Sequence, residues 1–135
     1  MSLIQWNEKF NVGVRTLDGQ HQQLIGIINE LHQAMSEGKA KEVQAGLLRR
    51  LTQYAAEHLK TEEKMLSSNG YADFVQHKAQ HDNYISKVRE MEQQVAAGKM
   101  SLGVALLPFL KEWWTGHILK TDQEYVAFFK QKGVS

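Results

Sequence analysis

The sequence predicts an all-α protein: an antiparallel up-down-up-down four-helix bundle with an N-terminal extended arm. Three observations lead there. Apolar residues recur at helical spacing in four stretches. Glycines close the stretches. The connections are only a few residues long, which makes consecutive helices antiparallel. A chain of 135 residues forms one domain of this kind with a real core. We divide it into an arm, residues 1–16, and a bundle, residues 17–135.

The arm carries isolated apolar residues, Ile4, Trp6, Phe10, Val12 and Val14, with Gly13 among them. Val12 and Val14 alternate, as in an extended segment packed on the bundle. The first helix covers Leu17 to Ser36, with Leu24, Ile25, Ile28, Leu31 and Met35 in period, and stops at Gly38. The second covers Lys41 to Ser67, with Leu47, Leu48, Leu51, Ala55 and Leu59 in period, and stops at Asn69-Gly70. The third covers Asp73 to Ala97, through Phe74, Tyr84, Ile85, Val88 and Met91, and stops at Gly98. Ser101 is an N-cap candidate for the last helix, which runs to about Lys130 before Gly133. The only proline, Pro108, stands inside that stretch. It should either kink the helix or mark a later true start.

Composition excludes several functions. The formal net charge is +1, from 16 Lys+Arg against 15 Asp+Glu. That balance offers nothing to nucleic acid or to an anionic membrane surface. The chain has no cysteine, so disulfides, thiolate ligands and Fe–S clusters are excluded, and the composition fits a reducing compartment. Met1 to Phe10 hold no secretion-type apolar core, and no apolar run of about 18 residues occurs anywhere. We therefore expect a cytoplasmic protein with no membrane insertion.

The chemistry is carried by His21, His58-x3-Glu62, His77-x3-His81 and His117-x4-Asp122. Residues four apart share a helix face, so His58 with Glu62, and His77 with His81, each present two metal-ligating groups from one surface. Paired ligands projecting into a bundle are how dimetal sites are built in such folds. Counting from the turns places all four helices' ligands in one cross-section. His21 stands 17 residues before Gly38 and His58 17 after Lys41; His81 stands 17 before Gly98 and His117 16 after Ser101. A lone histidine on an apolar face is usually a hydrogen-bonded core residue, and a single i,i+4 polar pair usually decorates a solvated face. Five imidazoles and two carboxylates at one level are different: burying them without a cation would carry a heavy desolvation cost. His32 is the internal control. It lies near the face of His21 but ~16 Å along the axis, out of reach of the site. The aromatics Trp113, Trp114, Phe128 and Phe129 are read as core and interface residues.

The last pair poses a problem of phase. Five residues separate His117 from Asp122, about 140° on a regular helix. Either Asp122 swings inward from the flank, or a one-residue π-bulge restores the shared face. We expect the flank arrangement.

The order H…HxxxE…HxxxH…HxxxxD resembles the hemerythrin signature. Trp6 with Gly13-Val14, the stretch Leu17-Asp18-Gly19-Gln20-His21, and Trp113-Trp114-Thr115-Gly116-His117-Ile118 are similar to the bacterial members, the bacteriohemerythrins. The likeness spans nearly the whole chain, with peripheral departures at Gly19, Gly116 and Pro108. It implies a non-heme di-iron centre that binds O2 reversibly. By motif position, one iron would take His77, His81 and His117, and the other His21 and His58. Glu62 and Asp122 would bridge both irons, together with an oxo or hydroxo group. That ligand set leaves one vacant position on two octahedral irons, on the iron with two histidines, where O2 would bind.

Two further expectations follow. Ferritin-like di-iron bundles use mostly Glu with two His, whereas five neutral imidazoles favour the diferrous state and reversible binding. Ile25, Ile28, Tyr54, Leu110, Trp113 and Ile118 would keep the pocket dry, and no extra acid is expected near the ligands. The expected function is that of an oxygen carrier, store or buffer, not an enzyme, acting as a monomer toward an unidentified O2-consuming recipient. The alternatives are a di-iron scavenger or peroxidase of reactive oxygen or nitrogen species, and an O2 or redox sensor module.

Overall fold

A computed structural model describes residues 3–39 and 41–135; residues 1 and 2 of the expected arm lie outside them. Three regular helices, α1 (Arg15–Ser36), α2 (Lys41–Ser68) and α3 (Phe74–Ala96), are followed by a composite fourth rod over residues 102–131. No strand occurs among the described residues. The rods form a four-helix bundle.

Glycine ends the helices for a stated geometric reason. After α1, Gly38 adopts φ +67°, its N–H bonds to the Met35 carbonyl (3.1 Å), and Lys39 N–H bonds to the Ala34 carbonyl (2.9 Å). This Schellman turn needs a left-handed residue, which a side chain would strain. The same pair of bonds closes α2 at Gly70 and α3 at Gly98. Each reversal sends the next rod back along the last, and the side-chain pairs record it. Gln20 meets Thr61 while Glu30, further along α1, meets Arg50, earlier in α2. Likewise Thr52 meets Glu92 while Glu63 meets His81.

The arm is tied down rather than simply extended. Residues Glu8–Phe10 form a 3-10 turn, N-capped by Asn7, whose side chain accepts from Lys9 N–H. Helix α1 begins at Arg15, two residues before the expected Leu17. Val12 and Val14 are buried on either side of exposed Gly13, the alternation of an extended segment. Asn29 grips the arm at Ile4 through two hydrogen bonds of 2.9 Å, and the Asp18 carboxylate accepts from Val12 N–H (2.7 Å) and Gly13 N–H (3.1 Å).

The fourth rod is where regular helix fails. Ser101 caps it, accepting from Val104 N–H at 3.3 Å. A π-helical turn, Leu102–Leu106, follows, with Leu107 N–H bonded to the Leu102 carbonyl. Regular helix, α4 (Leu107–Gly116), starts there with Pro108 in its first turn, where a missing N–H leaves no gap. Pro108 therefore marks a late start of the α-helix, preceded by the wide turn. The rod continues through a second π turn (His117–Thr121), a 3-10 turn (Asp122–Tyr125) and α5 (Val126–Gln131).

The core falls into two apolar parts. The larger holds Leu24, Ile28, Leu31, Leu51, Leu59, Leu110 and Trp114; the smaller holds Val12, Val14, Leu17, Leu66, Tyr125 and Phe129. Each fully buried aliphatic or aromatic side chain contributes about 1.5–3 kcal/mol. Along each helix the change from one part to the other occurs across a polar residue: Leu17 and Leu24 flank His21, Leu59 and Leu66 flank Glu62, and Ile118 and Tyr125 flank Asp122. A polar layer thus lies between two greasy ones.

Candidate metal centre

That layer contains all seven residues marked by their spacing. His21, His58, Glu62, His77, His81, His117 and Asp122 are each at most 4% exposed. No other Asp, Glu, His, Lys or Arg among the described residues is buried. His32 is half-buried and stands outside the cluster.

The ligand-type atoms gather in two groups. Glu62, His77, His81, His117 and Asp122 offer one atom each within 4.8 Å of one another, and so do His21, His58 and Glu62. Both carboxylates span the groups. Glu62 Oε1 lies 2.7 Å from His77 Nε2 and 3.1 Å from His81 Nε2, while its Oε2 lies 3.5 Å from His58 Nε2 and 3.7 Å from His21 Nε2. Asp122 Oδ1 lies 3.0 Å from His117 Nε2 and 3.3 Å from His77 Nε2, with Oδ2 3.2 Å from His21 Nε2. Each carboxylate turns one oxygen to the three-histidine side and the other to the two-histidine side.

Asp122 gets there by the arrangement we did not expect. Its own N–H bonds to the His117 carbonyl five residues back, the closure of a π turn over His117–Thr121. The flank arrangement is therefore incorrect. The wider turn absorbs one extra residue, and both side chains face the same way.

Several polar atoms are left without partners. His21 Nδ1 and Nε2, His58 Nε2 and both Asp122 oxygens are fully buried with no hydrogen bond. The Asp122 oxygens approach three imidazoles closely but off the direction a hydrogen bond requires. His81 Nε2 and His117 Nε2 face each other at 3.1 Å. A buried unsatisfied group costs about 1–3 kcal/mol, and several such atoms converging on one space is the condition that bound cations relieve. The donor set, imidazole and carboxylate without thiolate, suits first-row divalent metals.

Ring orientation points the same way. His58 Nδ1 bonds to Gln20 Oε1 at 2.7 Å, and His81 Nδ1 to Glu63 Oε2 at 2.8 Å. With the proton held on Nδ1, each Nε2 lone pair is aimed inward, the outer support that metal-binding histidines use. Tyr125 OH donates to Glu62 Oε2 at 2.8 Å. Gln20, Glu63 and Tyr125 are site residues that motif spacing missed. Tyr125 had a signal, standing three residues after Asp122 on the same face; Gln20 and Glu63 had only adjacency to His21 and Glu62. Glu63 beside His81 is half-buried and Tyr125 is a phenol, so neither is the further buried Glu whose absence the sequence suggests.

Without metal, the layer balances its own charge. Burial pushes the His21 and His77 imidazoles down, but the close Asp122 and Glu62 carboxylates outweigh it and raise both to about 9. Burial dominates at His58 and lowers it to about 3. Burial opposes ionisation of Glu62, yet the nearby imidazoles of His21, His77 and His81 hold its carboxyl well below the usual range. Asp122 is lowered too, with burial and the Glu62 charge overcome by His117 and His21. Two imidazolium protons thus stand where cations would sit.

Of the expected apolar wall, Ile25, Ile28, Leu110 and Ile118 are buried in the larger core, while Tyr54 and Trp113 are half-buried. Trp114 is fully buried and its Nε1–H donates to Tyr84 OH at 2.9 Å. Trp113 lies flat against the His117 ring, centroids 4.3 Å apart at 12°.

Residues 12–129 match the family model described as the Hemerythrin HHE cation binding domain. The chain belongs to the hemerythrin family. It is 31% identical over 126 residues to a bacteriohemerythrin of Methylococcus capsulatus, covering 93% of this chain and 95% of that protein. A bacteriohemerythrin of Pseudomonas aeruginosa is equally similar, with 93% and 81% covered, and a hemerythrin-like protein of Naegleria gruberi is 30% identical, with 92% of each covered. Among solved structures, wild-type hemerythrin superposes with a TM-score of 0.86 at 29% identity, covering 93% of this chain and 97% of that one. The seven clustered side chains stand on the scaffold of a hemerythrin. Among the described residues, no helix is long and apolar enough to cross a membrane.

Proposed function

We propose that this hemerythrin holds two iron ions and binds O2 reversibly, as a cytoplasmic monomeric carrier, store or buffer. His77, His81 and His117 would hold one iron and His21 and His58 the other, with Glu62 and Asp122 shared between them. The observation that carries this reading is the double reach of the two carboxylates, each with one oxygen toward each histidine group. A pair of irons held there would supply the two electrons that O2 takes up on binding and returns on release. The residues present do the rest: Gln20 and Glu63 orient imidazoles, Tyr125 steadies Glu62, and the core on either side keeps water out. Nitrogen-rich ligation also suits zinc or copper; iron is favoured because the relatives this chain resembles are named as hemerythrins.

Elemental analysis of the purified protein should give two irons per chain, and an absorption band should appear with O2 and vanish on deoxygenation. One metal per chain, or a band that oxygen removal leaves in place, overturns the proposal. A scavenger or peroxidase reading draws on one observation: the buried Tyr125 hydroxyl donates to Glu62 and so brings an exchangeable proton beside the site. Steady turnover of hydrogen peroxide would favour it over the carrier.

A further inference from the structure

We propose that Trp113 is the electron-entry residue of this protein, the ring through which a docked isoalloxazine-type donor returns the oxidised centre to its working state. The proposal rests on the di-iron reading above. A reversible O2 binder that releases hydrogen peroxide instead of O2 is left diferric, and electrons must then reach a layer in which every ligand is at most 4% exposed.

Aromatic contact between that layer and the surface is sparse. Trp114 is fully buried and meets His117 edge-on, 6.4 Å away at 81°. Tyr71 is half-buried but meets His77 edge-on at 6.5 Å. Trp113 alone among the described residues combines a face-to-face stack on a cluster imidazole, 4.3 Å at 12° to His117, with a half-buried position that reaches solvent. Parallel rings at that spacing overlap in their π systems, so the indole couples the surface to the Nε2 that faces the site. An indole is too hard to reduce to hold the electron. It acts as a bridge crossed in one step.

The outer side of Trp113 opens on a groove of about 390 Å³ lined by Tyr84, Lys87, Glu90 and Phe109 as well. It is an open groove that would leave one face of a docked ring toward solvent. Tyr84 leans on Trp113 at 4.3 Å, and Phe109 lies parallel to Tyr84 at 11°. Lys87 and Glu90 are of opposite sign, so the groove is close to neutral. Aromatic walls with balanced charge fit a flat, uncharged ring system better than an anionic donor. Each flavin radical docked there gives up one electron and one proton: the electron reduces one ferric ion to ferrous and the proton passes to solvent. Two such events restore the diferrous state.

The test compares two donors on the oxidised, iron-loaded protein: flash-generated lumiflavin radical, and the small sulfur dioxide radical anion from dithionite. Trp113→Leu should slow reduction by lumiflavin about tenfold relative to reduction by the sulfur dioxide radical, about 1.4 kcal/mol of barrier. Trp113→Phe keeps a ring on His117 and should recover part of the loss. A merely structural role would slow both donors alike, and that result, or no slowing of either, overturns the proposal. A second readout needs no iron. Iron-free wild-type protein should quench lumiflavin fluorescence and Trp113→Leu should not; equal quenching by both removes the docking groove. Iron content measured on the same samples separates the two readings, because a chain without two irons defeats the di-iron reading whatever lumiflavin does.

Discussion

Deleting Leu119 should leave the metal layer intact, whereas inserting one alanine after it should destroy the layer. On a regular α-helix five steps put Asp122 about 140° from His117, four steps about 40°, and six steps about 120° on the opposite side. The π turn over His117–Thr121 cancels the five-step error by holding one extra residue. Leu119 is 39% exposed and bonds to nothing in the layer, so its removal lets the turn close as ordinary α-helix with both flanks in place. An added residue has no such outlet. It turns Asp122, Tyr125 and Phe129, all fully buried, away from the core. Losing a buried aromatic costs about 3–5 kcal/mol, and two of them approach the whole stability of an ordinary domain, about 5–15 kcal/mol. Iron per chain after reconstitution and the melting curve of the iron-free protein read both effects. The deletion should retain two irons and a cooperative melt; the insertion should retain neither. If the deletion empties the site as thoroughly as the insertion, something other than helix phase positions Asp122, and the reasoning fails.

Three further outcomes are expected. His58→Ala and His77→Ala should each lose iron and melt lower, since bound metal adds to native stability, while His32→Ala should keep both irons; an empty site in His32→Ala would contradict the levelling of the ligands. Tyr125→Phe removes the hydroxyl that donates to Glu62 Oε2; a hydrogen bond to a charged acceptor is worth about 1.5–3 kcal/mol, so the variant should melt roughly 5–10 °C lower, and an unchanged melting temperature would show that the bond contributes nothing. His21 and His77 are raised to about 9 in the iron-free fold. Their stabilisation is complete below the unfolded value of about 6.5 and is lost as pH rises through 9, so denaturant unfolding of iron-free protein should show lower stability at pH 9.5 than at pH 6. Iron uptake over the same range should release protons; flat stability between those values would refute the imidazolium assignment.

The bundle was legible in the sequence because its signals are local: the apolar period and the glycine after Glu37, Asn69 and Ala97 act within a few residues. The level of the ligands was legible too, since counting from those turns needs only the rise of a helix. What escaped were features that depend on partners across the bundle. Glu63 reads as an ordinary exposed-face residue until α3 brings His81 Nδ1 to 2.8 Å. Gln20 is one polar residue among several in its stretch until α2 sets His58 beside it. The π turn lay between the two. The five-residue spacing posed the question, but only the backbone bond from Asp122 to His117 answered it. Helix α1 starts at Arg15, ahead of the apolar period, in the turn that the Asp18 carboxylate ties to the arm.

The arm's tethers have a consequence for how the centre is held. Asp18 holds the arm from α1, one turn before His21, and Gln123 reaches the Lys9 and Asn11 carbonyls from the residue after Asp122. The arm therefore staples together the two segments that supply His21 and Asp122, while His77, His81 and Glu62 sit on helices it does not touch through those bonds. Cutting either tether would therefore loosen the segments of His21 and Asp122 together, from outside the polar layer itself.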